Sequence, residues 1–231
     1  MSDSTATFDD ERAAAYDDRI RRLAPGYDVL HDALASVAAS MLADDAHVLI
    51  VGAGTGTEVV KLAQDRPRWR FTAVDPSAEM LERCRQTVWE EGLGERVDFV
   101  CDRVEALPAA SRFDGATSVF VAHFIQDPDA KHQFFRAVAR QLQSGAPLLL
   151  ADLFGEASDD AFEKHLAAWR RSFRRAGAAP DEAECAFARI ERQISFVPED
   201  ELAQLLNETG FTAPTRFFQC LLWGAWWARA E

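Results

Sequence analysis

A chain of 231 residues that is 48% hydrophobic can bury the core of one α/β domain with additions. Its formal net charge of −13 opposes phosphate backbones and disfavours nucleic acid as a partner. No apolar run reaches membrane-spanning length, and the acidic opening MSDSTATFDDERAAAYDDR has no apolar signal core, so the composition predicts a cytoplasmic protein that meets no membrane.

Residues 8–43 read as two helices. Ala13, Tyr16, Ile20 and Leu23 share one face, Pro25-Gly26 breaks the pattern, and Val29, Leu30, Ala33, Leu34, Val37 and Met41 resume it. This leader precedes the first strand and can pack over the mouth of a ligand site. Tyr27, at the break, either lays its ring against a ligand or packs between helices.

Residues 46–58, AHVLIVGAGTGTE, read as a buried strand, a tight turn and a helix. Gly52, Gly54 and Gly56, with Ala53 between the first two, let the backbone approach a ligand, and the helix N-terminus offers it free N–H groups. The spacing is not that of a dinucleotide turn, because Thr57 stands at the third glycine position, and a Walker loop would need a lysine. The second strand, Arg70 to Val74, ends at Asp75-Pro76-Ser77, nineteen residues after Gly56. An acid so placed can accept from both hydroxyls of a ribose. Ser77 reads as a helix N-cap, with Met80, Leu81, Cys84 and Val88 on the buried stripe behind it.

Strand three is Arg96 to Cys101, ending at Asp102-Arg103; strand four is Gly115 to Val121, followed by His123; strand five is Pro147 to Leu153. Strands alternating with helices imply a parallel sheet covered on both faces, with ligands at the carboxyl ends of the strands. Gly52, Asp75, Asp102 and the segment after Val119 fall at such ends.

Residues 155–190 break the alternation with polar helical sequence that carries Phe162, Leu166, Trp169 and Phe173 on one stripe. An insertion here can roof the acceptor side of the site or form a dimer face. Its Arg170, Arg171, Arg174 and Arg175 read as a solvated helix face. Gln193 to Val197 reads as a strand, Glu199 to Glu208 as a helix stopped by Gly210, and Thr215 to Ala228 as one final, aromatic-rich strand. The four cysteines (Cys84, Cys101, Cys185 and Cys220) have no C-x-x-C spacing, which suits reduced thiols and no metal site.

The glycine turn paired with Asp75 resembles class I S-adenosylmethionine (SAM)-dependent methyltransferases. The resemblance implies a Rossmann-like seven-stranded methyltransferase sheet, mostly parallel with an antiparallel last strand, plus N-terminal helices and a helical cap. Within one domain these would be a leader at 8–43, a SAM-binding core at 46–154, a cap at 155–190 and a C-terminal part at 191–231. It implies SAM as cofactor, S-adenosylhomocysteine as product and no metal. The glycine loop would hold the methionine part, Asp75 the ribose, and Asp102 the adenine amino group; a helix-capping aspartate is the other reading of Asp102. The acid usual two residues before the first glycine is replaced by Ile50.

The whole chain is similar to the carboxy-SAM synthase branch of these enzymes. The likeness lies in Tyr16-Asp17-Asp18-Arg19 with Pro25-Gly26-Tyr27, in His123-Phe124-Ile125, and in Phe218-Gln219-Cys220. That branch makes carboxy-SAM from SAM and prephenate for modifying a tRNA wobble uridine, often as a homodimer. Carried over, Tyr27, Gly52 to Gly54, Asp75-Pro76 and Asp102-Arg103 would contact the cofactor. Val119 aligns with the branch's asparagine and Phe187 with its carboxylate-binding arginine, although Arg189 and Arg192 lie close by. The chain therefore reads as a relative that keeps ordinary SAM chemistry and methylates a small-molecule acceptor. A carboxy-SAM synthase-like enzyme and a non-catalytic SAM-binding protein are the alternatives. His123 is the candidate base, against a structural histidine, with His31 and His165 behind it.

Overall fold

β1 (His47–Val51) lies at the centre of a seven-stranded sheet, and it can do so because it is apolar on both faces. Val48 and Ile50 face one core cluster and Leu49 and Val51 the other. A computed structural model describes residues 18–108 and 113–231. In it the strands run in the order β3-β2-β1-β4-β5-β7-β6, where β2 is Arg70–Val74, β3 Val97–Val100, β4 Gly115–Val119, β5 Pro147–Leu153, β6 Thr215–Cys220 and β7 Trp223–Arg229. β1 to β5 pair in parallel, and β7 is antiparallel to both of its neighbours.

Helices α1 (Tyr27–Met41), α2 (Thr57–Asp65) and α3 (Ala78–Glu90) cover one face through Leu34, Val59, Leu62 and Cys84. On the other face α4 (Pro128–Gln141) and α7 (Glu199–Glu208) supply Phe134, Phe135, Val138, Leu202 and Leu206. The starts of these helices are set locally. Ser77 Oγ accepts from the Met80 N–H at 3.2 Å, and Asp127 accepts from the Ala130 N–H at 2.8 Å with Pro128 opening α4. The insertion is two helices, α5 (Asp160–Arg175) and α6 (Pro180–Gln193), whose Trp169, Phe173, Phe187 and Ile190 make a core of their own with Leu153 and Trp223. This cap meets the leader: Trp169 Nε1 donates to the Leu23 carbonyl at 2.5 Å. Residues 18–23 are helical, while Ala13, Tyr16 and Asp17 of the leader lie outside the described residues.

Three expectations are corrected. Gln193 to Val197 is not a strand: the Ala183, Ala186, Ile190 stripe carries α6 through Gln193, residues 194–196 are irregular, and only a Phe154–Val197 bridge touches the sheet. Thr215 to Ala228 is not one strand but the β6–β7 hairpin, turning at Leu221 (φ 55°) and Leu222. The turn has no polar signature because Leu222 is buried in the cap core. β4 stops at Val119, because Phe120 takes φ 61° and turns the chain.

Candidate active site

The carboxyl ends of β1, β2 and β4 open onto a cavity of about 770 Å³. The glycine turn forms one wall. Gly52 (φ 76°) packs so closely that a Cβ there would lie 2.3 Å from Val121 Cγ2. Gly56 (φ 89°) caps α2 against Cys84, whose Cα would be 3.2 Å from an added Cβ. Gly54 (φ 54°) is different: an added Cβ would meet nothing within 4 Å. Gly52 and Gly54 line the cavity and Gly56 does not; it shapes the turn behind them.

Asp75 is fixed at the end of β2. Its Oδ2 accepts from the Gly54 N–H at 3.0 Å and its Oδ1 from the Ser77 N–H at 2.8 Å. Each carboxylate oxygen keeps a further lone pair for a ligand. Asp75 is buried, and Ala53, Pro76 and Val119 share the cavity wall with it. Asp102 and Arg103 also line the cavity, but on its exposed side. The Arg103 N–H donates to Asp102 Oδ1 at 2.7 Å, so that backbone donor already has a partner.

Opposite the turn stands an aromatic wall. Tyr27 lies 6.0 Å from Phe120, and Phe120 lies 4.6 Å from Trp223, ring centroid to centroid. Phe120 adopts a left-handed backbone that costs a bulky residue strain, and this conformation puts it among the cavity residues. His31 is buried beneath Tyr27, with Nδ1 2.9 Å from the Tyr27 carbonyl oxygen. Burial pushes its pKa down, opposed by that hydrogen bond. His165 does not line the cavity.

His123 sits in a single turn of 3-10 helix at residues 122–124, lining the cavity. Its Nδ1 is hydrogen-bonded to Asp152 Oδ1, and the two residues are 4% and 7% exposed. Asp152 also accepts from the Leu153 N–H at 2.8 Å. Lys131 of α4 is buried behind this pair. It donates to Ser195 Oγ at 3.0 Å, while the Ser195 N–H donates to the His123 carbonyl at 2.9 Å. Burial lowers the Lys131 pKa against the pull of Asp152.

Sequence reasoning missed Asp152 and Glu58. Asp152 lies near the end of β5, beside β4, whose following turn carries His123, and no local sequence signal marks that adjacency. Glu58 reads as an ordinary acid in a first helical turn, yet it is 6% exposed and lines the cavity. Its Oε1 and the Thr117 hydroxyl have no hydrogen-bond partner in good geometry. Burial pushes the Glu58 pKa up to about 7, tempered by the nearby Thr117 hydroxyl.

The cations divide unevenly. Phe187 is fully buried, 5.0 Å from Trp169 in the cap core and away from the cavity. Arg189 lines the cavity and donates to Gln193 Oε1 at 2.7 Å, whereas Arg192 does not line it and bonds the Ala188 carbonyl. Among the described residues no group of three or more histidines, cysteines or acids could hold a metal, and no helix is long and apolar enough to cross a membrane.

A family model described as a methyltransferase domain matches residues 48–145. A carboxy-S-adenosyl-L-methionine synthase of Chromohalobacter salexigens is 29% identical over 222 residues, covering 93% of this chain and 80% of the relative. One of Actinobacillus succinogenes is 25% identical over 224 residues, covering 95% and 91%. Among solved structures, a Burkholderia thailandensis 1,6-didemethyltoxoflavin N1-methyltransferase holding its acceptor and S-adenosylhomocysteine superposes with a TM-score of 0.61 at 22% identity, over 100% of this chain and 86% of that one. A mitomycin 7-O-methyltransferase gives 0.64 at 17% identity over 88% of this chain, which spans 54% of that enzyme's length. At such identities these two likenesses speak for the fold alone.

Proposed function

From a chain whose residues 48–145 match a methyltransferase domain and which is similar over nearly its whole length to carboxy-SAM synthases, we propose a SAM-dependent methyltransferase that methylates a hydroxyl group on a small aromatic acceptor. The observation that carries this reading is the buried His123–Asp152 pair, whose histidine lines the same cavity as the glycine turn.

The residues present fit SAM. Gly54 leaves open space beside the turn, and Asp75 keeps lone pairs for a ribose. Glu58 puts a second buried acid on the cavity wall, which suits a cationic ligand. We assign Gly52, Ala53 and Gly54 to the methionyl part, with Gly56 holding the turn, Asp75 and Pro76 to the ribose, and Asp102 and Arg103 to the adenine. Val119 and Tyr27 close the sides. When bound, SAM supplies a methyl group on a positively charged sulfur, an activated carbon with a good leaving group.

The chain's own work is then to align the acceptor, exclude water and take up one proton. Asp152 accepts from His123 Nδ1–H, which fixes the tautomer and leaves Nε2 as a base. Nε2 takes the acceptor's hydroxyl proton, and Asp152 stabilises the imidazolium that forms. Phe120, Phe124 and Trp223 offer flat apolar surface for an aromatic ring. The test is to purify the protein, identify by mass spectrometry any small molecule it carries, and then screen phenols with methyl-labelled SAM. Labelled methyl ether that disappears in His123→Ala is the expected result. Turnover unaffected by that substitution defeats the assignment.

A second reading, carboxy-SAM formation, draws on the synthase relatives and on Arg189 at the cavity. Prephenate turnover that is lost in Arg189→Ala would establish it over the first. Assembly as a homodimer rests on the resemblance to the synthases.

A further inference from the structure

The charges around the cavity are sorted. Its buried wall carries two carboxyl groups, Asp75 and Glu58. Its lining arginines, Arg19, Arg103 and Arg189, are half-buried or exposed. Among the described residues no buried lysine or arginine lines it. The two acids are not in the same condition. Asp75 is held by two backbone N–H groups, whereas Glu58 Oε1 has no partner. A carboxylate taken out of water with only the Thr117 hydroxyl beside it is costly, and it becomes favourable once a cation sits against it.

Glu58 lies where such a cation would arrive. It is in the first turn of α2, two residues past Gly56, beside Thr117 of β4. Thr117 is paired in register with Ile50 of β1, directly beneath the glycine turn. From these placements we propose that Glu58 receives the α-ammonium group of the cofactor's methionyl arm. This assignment rests on the SAM reading and names the residue that anchors one end of that ligand.

The assignment has a pH signature. Glu58 must be ionised to hold an ammonium group, and its pKa without ligand is about 7. The other titratable groups on this side are Cys84 on α3, Asp75 at the end of β2 and His31 on α1. Cys84 is pushed up to about 12 by burial and stays neutral; His31 is pushed down by burial and is neutral above its ordinary value of 6.5. Affinity for a ligand bearing the ammonium group therefore falls as pH drops below 7, approaching tenfold per unit, and levels off above it.

The experiment compares S-adenosylhomocysteine with 5′-methylthioadenosine, which keeps the adenosine and the sulfur but lacks the amino-acid arm. Calorimetry on wild type, Glu58→Gln and Glu58→Ala from pH 5.5 to 8 is the measurement, with circular dichroism to confirm folding. The expected result is a loss of at least tenfold for S-adenosylhomocysteine in Glu58→Gln, methylthioadenosine within twofold, and the pH dependence abolished. Equal losses for both ligands, or unchanged S-adenosylhomocysteine affinity, overturn the assignment. Should the variants fail to fold, the wild type still decides: the same pH dependence for both ligands overturns it, and a dependence confined to S-adenosylhomocysteine upholds it. If the wild type binds neither ligand, the SAM reading has failed and takes this assignment with it.

Discussion

His123 Nδ1 and Asp152 Oδ1 are hydrogen-bonded across the ends of β4 and β5, two strands that are neighbours in the sheet and 29 residues apart in the chain at this pair. Asp152 also holds the Leu153 N–H, and Ser195 holds the His123 carbonyl, so both partners are fixed before any acceptor arrives. If His123 is the base, His123→Ala lowers kcat by about 10²–10⁴-fold while S-adenosylhomocysteine affinity holds. Asp152→Asn should lower kcat also, because an amide can stabilise the other tautomer. Stopped assays with labelled SAM, paired with calorimetry, check both. Loss of cofactor affinity in step with kcat would instead mark His123 as structural.

Asp75 has two duties. Its oxygens tie down the Gly54 and Ser77 N–H groups, and they are assigned to the ribose. Hydrogen bonds to a charged group are worth about 1.5–3 kcal/mol each, so Asp75→Ala should weaken SAM about 10²-fold or more. Calorimetry is the check, and an unchanged affinity removes the ribose assignment.

The glycine turn and Asp75 were legible in the sequence because each is a local signal: a run of apolar residues, three glycines, and an acid at the next strand end. The strand-end rule likewise brought Asp102, Val119 and His123 to one cavity. The His123–Asp152 pairing was not legible, because it depends on which strand lies beside which. Glu58 was hidden for another reason. A glutamate in a first helical turn is ordinary, and only the packing of α2 on β4 reveals that its carboxyl is buried. The β6–β7 hairpin was lost inside an unbroken apolar run, because its turn residues are themselves core residues.

Phe124 is 64% exposed, an uncommon state for a large apolar ring, and it lies 4.2 Å from the His123 ring at the cavity. A ring that packs on nothing larger contributes little to the fold. Its loss should be felt by an acceptor that stacks there, at about 0.5–1.5 kcal/mol for an aromatic pair. Phe124→Ala should thus raise the acceptor KM about 2- to 12-fold and leave Tm within about 2 °C, since exposed substitutions usually stay within ±0.5 kcal/mol. Steady-state kinetics with thermal unfolding checks this, and an unchanged KM places the acceptor elsewhere.

Gly52 and Gly54 share a left-handed backbone but not their surroundings. A Cβ at Gly52 runs into Val121 at 2.3 Å, whereas one at Gly54 meets open space. Gly52→Ala should therefore destabilise by about 1–3 kcal/mol from strain and overpacking combined. Gly54→Ala carries the backbone strain alone, about 1 kcal/mol, and its methyl group projects beside the turn where the methionyl arm is assigned. Its larger effect should be on cofactor binding. Thermal unfolding and calorimetry on the two variants separate these outcomes, and equal cofactor affinities would mean the arm does not run over Gly54.

Glu58 also links stability to pH. Its folded pKa of about 7 lies above the ordinary 4.5, so the folded state binds the extra proton between those values. The sign follows: the group's relative stabilisation is complete below about pH 4.5 and is lost as pH rises through 7, after which the destabilisation is constant. A shift of that size corresponds to about 3 kcal/mol at most, because one pKa unit is worth about 1.36 kcal/mol. Glu58→Gln removes the titration and keeps the shape. Without ligand it should unfold several degrees higher than the wild type at pH 8, and the gain should shrink toward zero near pH 5. Thermal unfolding at the two pH values measures it, and a pH-independent difference would show that the carboxyl is not titrating in the folded protein.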